Sequence, residues 1–328
     1  MKAFYSTILT TLFATFATVV ANENTKRSGS HDYIPAHAIT VGNGGKYPNL
    51  TVALNDTTSD TFFIFAGNYT GQTWITRPNV TIYGETWNPY SYIGNRVTLS
   101  VNMPASQAGS NDLSGTVRVH ATGVSLYNID IENTYGLPVQ QSQAIALSVQ
   151  AGQFGCYFCN LKGAQDTLLA NRGLQVYANS RIAGSVDFIF GMYASVWITK
   201  SVIESTGTGY LTASGRNTSD AFWYVIDKSI VKGNAKNQTY LGRPWRASAR
   251  VVFQNSFLGD NINPAGWSQW QPTEPRTEYI LFGEYKNYGP GAWNSSTRAP
   301  FATKLNASIP IDTVLGSNYT TWVNTHVL

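Results

Sequence analysis

A stacked parallel β-solenoid is the fold class this sequence predicts, and three observations predict it. Chemically pointed side chains recur at one interval: Gln143, then Gln165-Asp166, then Asp187, in steps of 22 or 23 residues and then 21. Apolar positions recur with them. Ile131, Leu161, Ile182, Ile203, Val231 and Leu258 hold equivalent places in a weak repeat, at intervals of 30, 21, 21, 28 and 27. The segments that carry them are short, with Gly and Asn at the turns and no convincing amphipathic run. A period in the low twenties is the length of one solenoid coil. Residues one coil apart then sit on neighbouring strands, about 4.8 Å from each other. Loops of different length inserted on one side make the intervals unequal. A β-sandwich is the competing architecture on pattern alone.

Taken in chain order, the N-terminus reads as a secretory signal over residues 1–21. Lys2 gives the positive start, Ile8 to Val20 the apolar stretch, and Val19-Val20-Ala21 a small-residue cleavage site. Residues 22–30 are polar and contain Lys26-Arg27, a candidate dibasic processing site. No linker or charge run divides residues 31–328, which read as a single domain. Residues 48–55 suit a short helix that caps the first coil, since solenoid ends are open edges that need a cover. Six segments from Leu126 to Gly259 then carry the repeat, and the turn-rich tail after Trp293 is expected to pack along the outside. One coil cannot bury its own apolar face, so stacking supplies the core. At roughly 25 cal/mol per Å² buried, an inward ladder of Ile, Leu, Val and Phe is ample.

Composition narrows the partners. Hydrophobic residues make up 43%, which excludes a disordered chain, whereas charged residues are only 12%, with 29 Gly, 19 Tyr and 9 Trp. Uncharged polar and aromatic surface suits carbohydrate, because aromatic faces pack against sugar rings. A net charge of +4 mildly favours a polyanion. Nucleic acid is excluded as a partner by the lack of a Lys/Arg stripe or motif. No segment after the signal is long and apolar enough to span a bilayer, so a secreted, extracellular monomer is expected. Nine Asn-x-Ser/Thr triplets agree with secretion: Asn49, Asn55, Asn68, Asn79, Asn217, Asn237, Asn294, Asn306 and Asn318. Cys156 and Cys159 lie in a segment that reads as a strand, where i and i+3 point to opposite faces, so two buried thiols are expected rather than a redox pair. Four scattered His and no Cys/His cluster imply no metal and no cofactor.

Four strings carry the chemistry: Gln143-Ala144-Ile145-Ala146-Leu147, Gly163-Ala164-Gln165-Asp166-Thr167-Leu168, Asp187-Phe188-Ile189-Phe190-Gly191 and Leu241-Gly242-Arg243-Pro244-Trp245. In this order and spacing they resemble the pectin methylesterase (pectinesterase) family. The likeness covers most of residues 39–305. It includes Val41-Gly42-x-Gly44-Gly45-x-Tyr47, Ala213-Ser214-Gly215-Arg216, Gly266-Trp267-x-x-Trp270 and the Gly283 to Ala292 stretch. The resemblance implies a right-handed, single-stranded parallel β-helix of the pectin-lyase-like type with a cleft on its side. It also implies hydrolysis of C6 methyl esters of homogalacturonan to methanol and free carboxylate. One departure stands out: where the family shows Gly-x-Tyr-x-Glu, this chain has Gly67-Asn68-Tyr69-Thr70-Gly71.

The residues support that chemistry in their own right. Ester hydrolysis needs a nucleophile, an acid for the leaving alcohol and donors for the oxyanion. Neither a Ser-His-Asp arrangement nor a nucleophile elbow is evident. Two Asp can fill both roles if their surroundings keep one ionised and one protonated. Arg243 beside Asp187 makes Asp187 the expected nucleophile. Asp166, near a second negative charge and partly desolvated, becomes the general acid and base. Gln143 and Gln165 are neutral donors for the oxyanion, although Gln165 also fits a structural amide ladder. Trp245 is a candidate sugar platform. Phe190 is a candidate contact, although strand alternation places it opposite Asp187 unless the chain bends at Gly191. Trp267 and Trp270 could flank the cleft or fill its wall. A retaining glycosidase would also pair carboxylates but would not need two carboxamides. A non-catalytic glycan-binding solenoid would keep the aromatics and lose an Asp or the Arg.

Overall fold

The computed structural model describes residues 34–136, 142–217 and 220–328, and the signal and processing segments lie outside them. Pro35–Leu328 forms one compact unit. Its strands make three parallel sheets of eleven, eight and seven strands. Each full coil gives one strand to each sheet in turn, as in Phe154–Tyr157, Asn160–Lys162 and Leu168–Ala170. The next coil repeats the order with Arg172–Ala178, Arg181–Gly184 and Ile189–Gly191. This is a right-handed parallel β-helix, the hand that parallel crossovers adopt.

The sequence repeat corresponds to physical register. Ile131, Leu161, Ile182, Ile203, Val231 and Leu258 pair in one continuous line along the eight-stranded sheet. All six are fully buried. Each therefore covers the apolar surface of the residue one coil below, which no single coil could do alone.

A second column, of serines, holds the corner between the eleven- and eight-stranded sheets. The amides of Cys159, Ser180, Ser201 and Ser229 donate to the Oγ of Ser180, Ser201, Ser229 and Ser256, at 3.0, 3.1, 3.2 and 3.0 Å. Each hydroxyl donates in turn to the carbonyl two residues before it. The residue ahead of each serine is left-handed: Asn179, Lys200, Lys228 and Asn255 have φ between 47° and 52°. A turn that sharp frees backbone donors inside the wall, and the serine ladder satisfies them.

The same corner corrects the reading of the cysteines. The strand ends at Tyr157, and Phe158 turns left-handed at φ 55°. Strand alternation therefore fails, Cys156 and Cys159 both enter the core, and they are joined as a disulfide with Cα atoms 5.9 Å apart.

Both ends are covered. Leu50–Ala53 is a short helix whose Asn49 cap accepts from the Val52 amide at 3.0 Å, with Leu50 and Ala53 in the core. At the other end Ala302–Lys304 adds a last strand to the eleven-stranded sheet. The tail then lies on that sheet's outer face, where Val314, Leu315 and Val323 pack with Tyr157, Val176, Trp197 and Val225. Glu284 and Arg298 form a buried pair near this end. Glu284 accepts from Trp267 Nε1 at 3.0 Å and from an Arg298 terminal nitrogen at 2.9 Å. Tyr69, in the stretch that departs from the family pattern, donates to the Phe65 carbonyl at 2.7 Å and packs over Gly42.

Ser201→Ala strands the buried Ser180 amide, so it is expected to lower stability by about 1–3 kcal/mol. Urea unfolding checks this, and a change under 0.5 kcal/mol would mean that the ladder is incidental (about the scatter of neutral surface changes).

Candidate active site

Asp166 and Asp187 each stand at the turn from the eight-stranded into the seven-stranded sheet. Both are left-handed, at φ 65° and 51°, a conformation that Asp tolerates better than most side chains. Gln165 bridges to Val186, and the Asp166 amide donates to the Val186 carbonyl at 3.0 Å. That pairing sets the two carboxylates on adjacent coils. One coil further back, the Ala144 amide donates to the Gln165 carbonyl at 3.1 Å, which sets Gln143 beside Gln165. The interval read from the sequence is thus a column of neighbours.

Arg243 reaches this column from two strands beyond the Asp187 coil. Its Nε and a terminal nitrogen donate to the two Asp187 oxygens at 2.9 and 2.7 Å, a bidentate clamp. The guanidinium lies between two rings, 4.0 Å from the centre of Tyr210 and 4.2 Å from that of Trp270. Planar contacts on both faces hold the fork in place. Asn111 donates to Asp166 at 3.4 Å.

Charge is distributed unequally between the two acids. Burial, then the Asp187 charge, push Asp166 well above the usual carboxylate range, and Arg243 opposes only in part. Burial raises Asp187 as well, but there the bidentate hydrogen bonds and the charge of Arg243 counter it. The guanidinium therefore does not set Asp187 low on its own, as the sequence suggests. It sets Asp187 below Asp166, so the pair's first proton leaves Asp187.

Beside the acids lies an apolar floor of Ile145, Leu169, Phe190 and Ala213, with Trp245 packed on it. Strand register stacks Leu169, Phe190, Ala213 and Arg243 in one outward row. Phe190 is on the same side as Asp187 because the chain turns at Asp187 itself, so alternation restarts there. Its ring meets Trp245 edge-on, with centroids 6.0 Å apart. Arg276 donates to the Trp245 carbonyl and lies 4.9 Å from the Trp270 ring. The two later tryptophans separate cleanly. Trp267 is core, stacked on Phe282 at 4.3 Å, whereas Trp270 is half-buried against the Arg243 guanidinium.

Gln165 accepts from the Ser142 hydroxyl at 3.0 Å, which leaves its amide nitrogen as the donor end. Sequence reasoning missed Tyr210 and Asn111. Tyr210 carried only a stacking signal with Tyr240, its partner one coil on at 5.6 Å. Asn111 comes from an inserted loop with no repeat to mark it. Among the described residues there is no cluster of His, Cys, Asp and Glu able to hold a metal ion.

A parallel β-helix that joins paired acids, a clamping arginine and half-buried aromatic rings on one side defines a polysaccharide-active enzyme. The family model described as Pectinesterase matches residues 41–307. The chain is 43% identical over 316 residues to a pectinesterase of Aspergillus aculeatus, covering 91% of this chain and 94% of that one. It is 40% identical over 329 residues to a probable pectinesterase A of Aspergillus niger, covering 97% and 98%. The solved pectin methylesterase of Aspergillus niger superposes with a TM-score of 0.84 at 40% identity, over 91% of this chain and all of that one. The carrot pectin methylesterase shares the fold, with a TM-score of 0.78 at 24% identity over 93% and 98%. This chain belongs to the pectinesterase family.

The raised Asp166 has a stability consequence. The unfolded chain releases this proton near pH 3.9, whereas the folded protein keeps it to higher pH. Stability is full below the unfolded value and declines as pH rises toward the folded one. Asp166→Asn is therefore expected to raise the Tm at pH 7, with the gain shrinking as pH falls through about 4. A pH-independent difference in thermal scans would count against it.

Proposed function

We propose that Asp187 is the nucleophile, Asp166 the general acid and base, and Gln143 and Gln165 the oxyanion donors of this pectinesterase. The reaction of the family is hydrolysis of the methyl esters of pectin, releasing methanol. The single observation that carries the assignment of roles is the bidentate Arg243–Asp187 clamp beside an unclamped, more deeply protonated Asp166.

The steps follow from that asymmetry. The Asp187 carboxylate attacks the C6 carbonyl carbon of a galacturonate methyl ester. Charge gathers on the carbonyl oxygen, where neutral carboxamides stabilise it without taking the proton. Asp166 gives its proton to the departing methoxide, and methanol leaves. An anhydride then links Asp187 to C6. Asp166, now ionised, takes a proton from water as that water attacks C6. Collapse frees the Asp187 carboxylate and a galacturonic acid carboxyl group, which loses its proton to solvent, and Asp166 is again protonated. The floor of Leu169, Phe190 and Ala213 receives the apolar side of the ring and the methyl group, with Trp245 as the stacking face.

Secretion and a monomeric state belong to the same proposal. All nine sequon asparagines are exposed, which suits glycosylation in a secretory route. The Aspergillus niger structure is of a partly deglycosylated protein with an N-acetylglucosamine stub. Among the described residues no helix is long and apolar enough to cross a membrane.

Methanol release from methylated pectin tests the mechanism. Asp187→Ala should abolish it, and unchanged release would sink the assignment. Gln143→Ala should lower kcat by about 10²–10³-fold, the usual cost of one oxyanion donor. Arg243→Met removes the group that restrains Asp187, so the acid limb of kcat/KM should move to higher pH. A limb that stays in place would show that the clamp does not govern ionisation.

A further inference from the structure

The outward row that carries the site continues well past the two acids. Strand register runs it from Arg243 through Phe190, Leu169, Ser148 and Arg118 to Trp74. Trp74 lies three strands beyond Leu169, about 14 Å away at about 4.8 Å per strand. It is 53% exposed, a large apolar ring open to solvent on the sheet that carries the apolar floor.

Trp74 is also held in place. His120 meets its ring edge-on at 5.7 Å and 90°, and the Arg118 guanidinium lies 5.4 Å from its centre. Asp112 ties these two braces together. Its carboxylate accepts from Arg118 at 2.7 Å, lies 3.1 Å from His120 Nε2, and accepts from Ser148 Oγ at 2.7 Å. An Arg balanced by an Asp leaves little local charge to repel or trap an anionic polymer. Between Trp74 and the apolar floor Ser148 is fully buried beneath Asp112, and beside it two half-buried carboxamides are linked in series, Gln150 donating to Ser148 at 3.0 Å and Asn171 to Gln150 at 2.8 Å. A fixed aromatic face beside a charge-balanced pair and two carboxamides matches a sugar ring better than it matches a protein partner.

We propose that Trp74 is the platform of a remote sugar subsite, which holds the galacturonan chain several residues from the ester being cleaved. This rests on the pectinesterase reading, because the occupant is the continuation of the same substrate along the same row. A ring bound there contributes equally to ground and transition states, so its effect falls on KM and not on kcat. Only a polymer long enough to touch Trp74 and the acids together gains from it.

Methanol release by the parent and Trp74→Ala enzymes should be compared on long, highly methylated galacturonan and on methylated trimers too short to bridge both places. Parent activity on the trimers tests the reaction, and the dependence on length tests the platform. Trp74→Ala is expected to raise KM on the polymer about tenfold, equal to about 1.4 kcal/mol, with kcat and all trimer constants unchanged. Trp74→Phe, which keeps an aromatic face, should recover most of the loss. An unchanged polymer KM, or an equal loss on polymer and trimer, would overturn the proposal. Should the Ala variant fold poorly, Trp74→Gln replaces it, and a ratio of polymer to trimer KM equal to the parent's would overturn the proposal.

Discussion

In-register stacking of parallel coils is the constraint on which the rest of this molecule depends. A solenoid wall offers each backbone amide a partner only if every coil turns at the same place. The column of left-handed residues and serines from Asn179-Ser180 to Asn255-Ser256 enforces that turn. Once corners are aligned, register on the flat faces follows, and the apolar line from Ile131 to Leu258 closes without a slip. The acids obey the same rule at another corner. Asp166 and Asp187 are neighbours because their turns are stacked, not because attraction draws them together.

That proximity works against stability. Burial and the Asp187 charge raise the affinity of Asp166 for its proton, burial raises that of Asp187, and Arg243 opposes both rises but hydrogen-bonds only Asp187. The inequality is what a two-step ester hydrolysis needs, since one group must donate while the other attacks. Tyr210 and Trp270 keep the guanidinium on Asp187 by closing both of its faces. The site is therefore built by strain in the proton balance and held by aromatic packing.

Much of this was legible in the sequence for a physical reason. A column in the fold is a period in the chain, so Gln143, Gln165, Asp166 and Asp187 announced themselves by spacing, and the six inward aliphatics did the same. Arg243 was readable from its motif although it sits outside the interval. Features that depend on a single turn were not readable. Strand alternation misplaced Phe190 and parted Cys156 from Cys159, because in both cases a left-handed residue resets which way the next side chain points. Asn111 and Tyr210 were missed because an inserted loop and a lone aromatic carry no period.

The tail adds a property that a plain solenoid lacks. Coils in such folds touch only their neighbours, so one end can loosen while the other stays intact. Here the Asn324 amide donates to the Tyr157 hydroxyl at 3.0 Å across 167 residues of chain, and its carboxamide donates to Tyr127 at 3.3 Å across 197. The Asn179 side chain holds the Val327 carbonyl at 2.7 Å. Asn324 and Val327 thus fasten coils that lie far earlier in the chain, and a linear stack becomes a closed loop of dependencies. Fraying from the C-terminal end must first unlatch the middle of the protein.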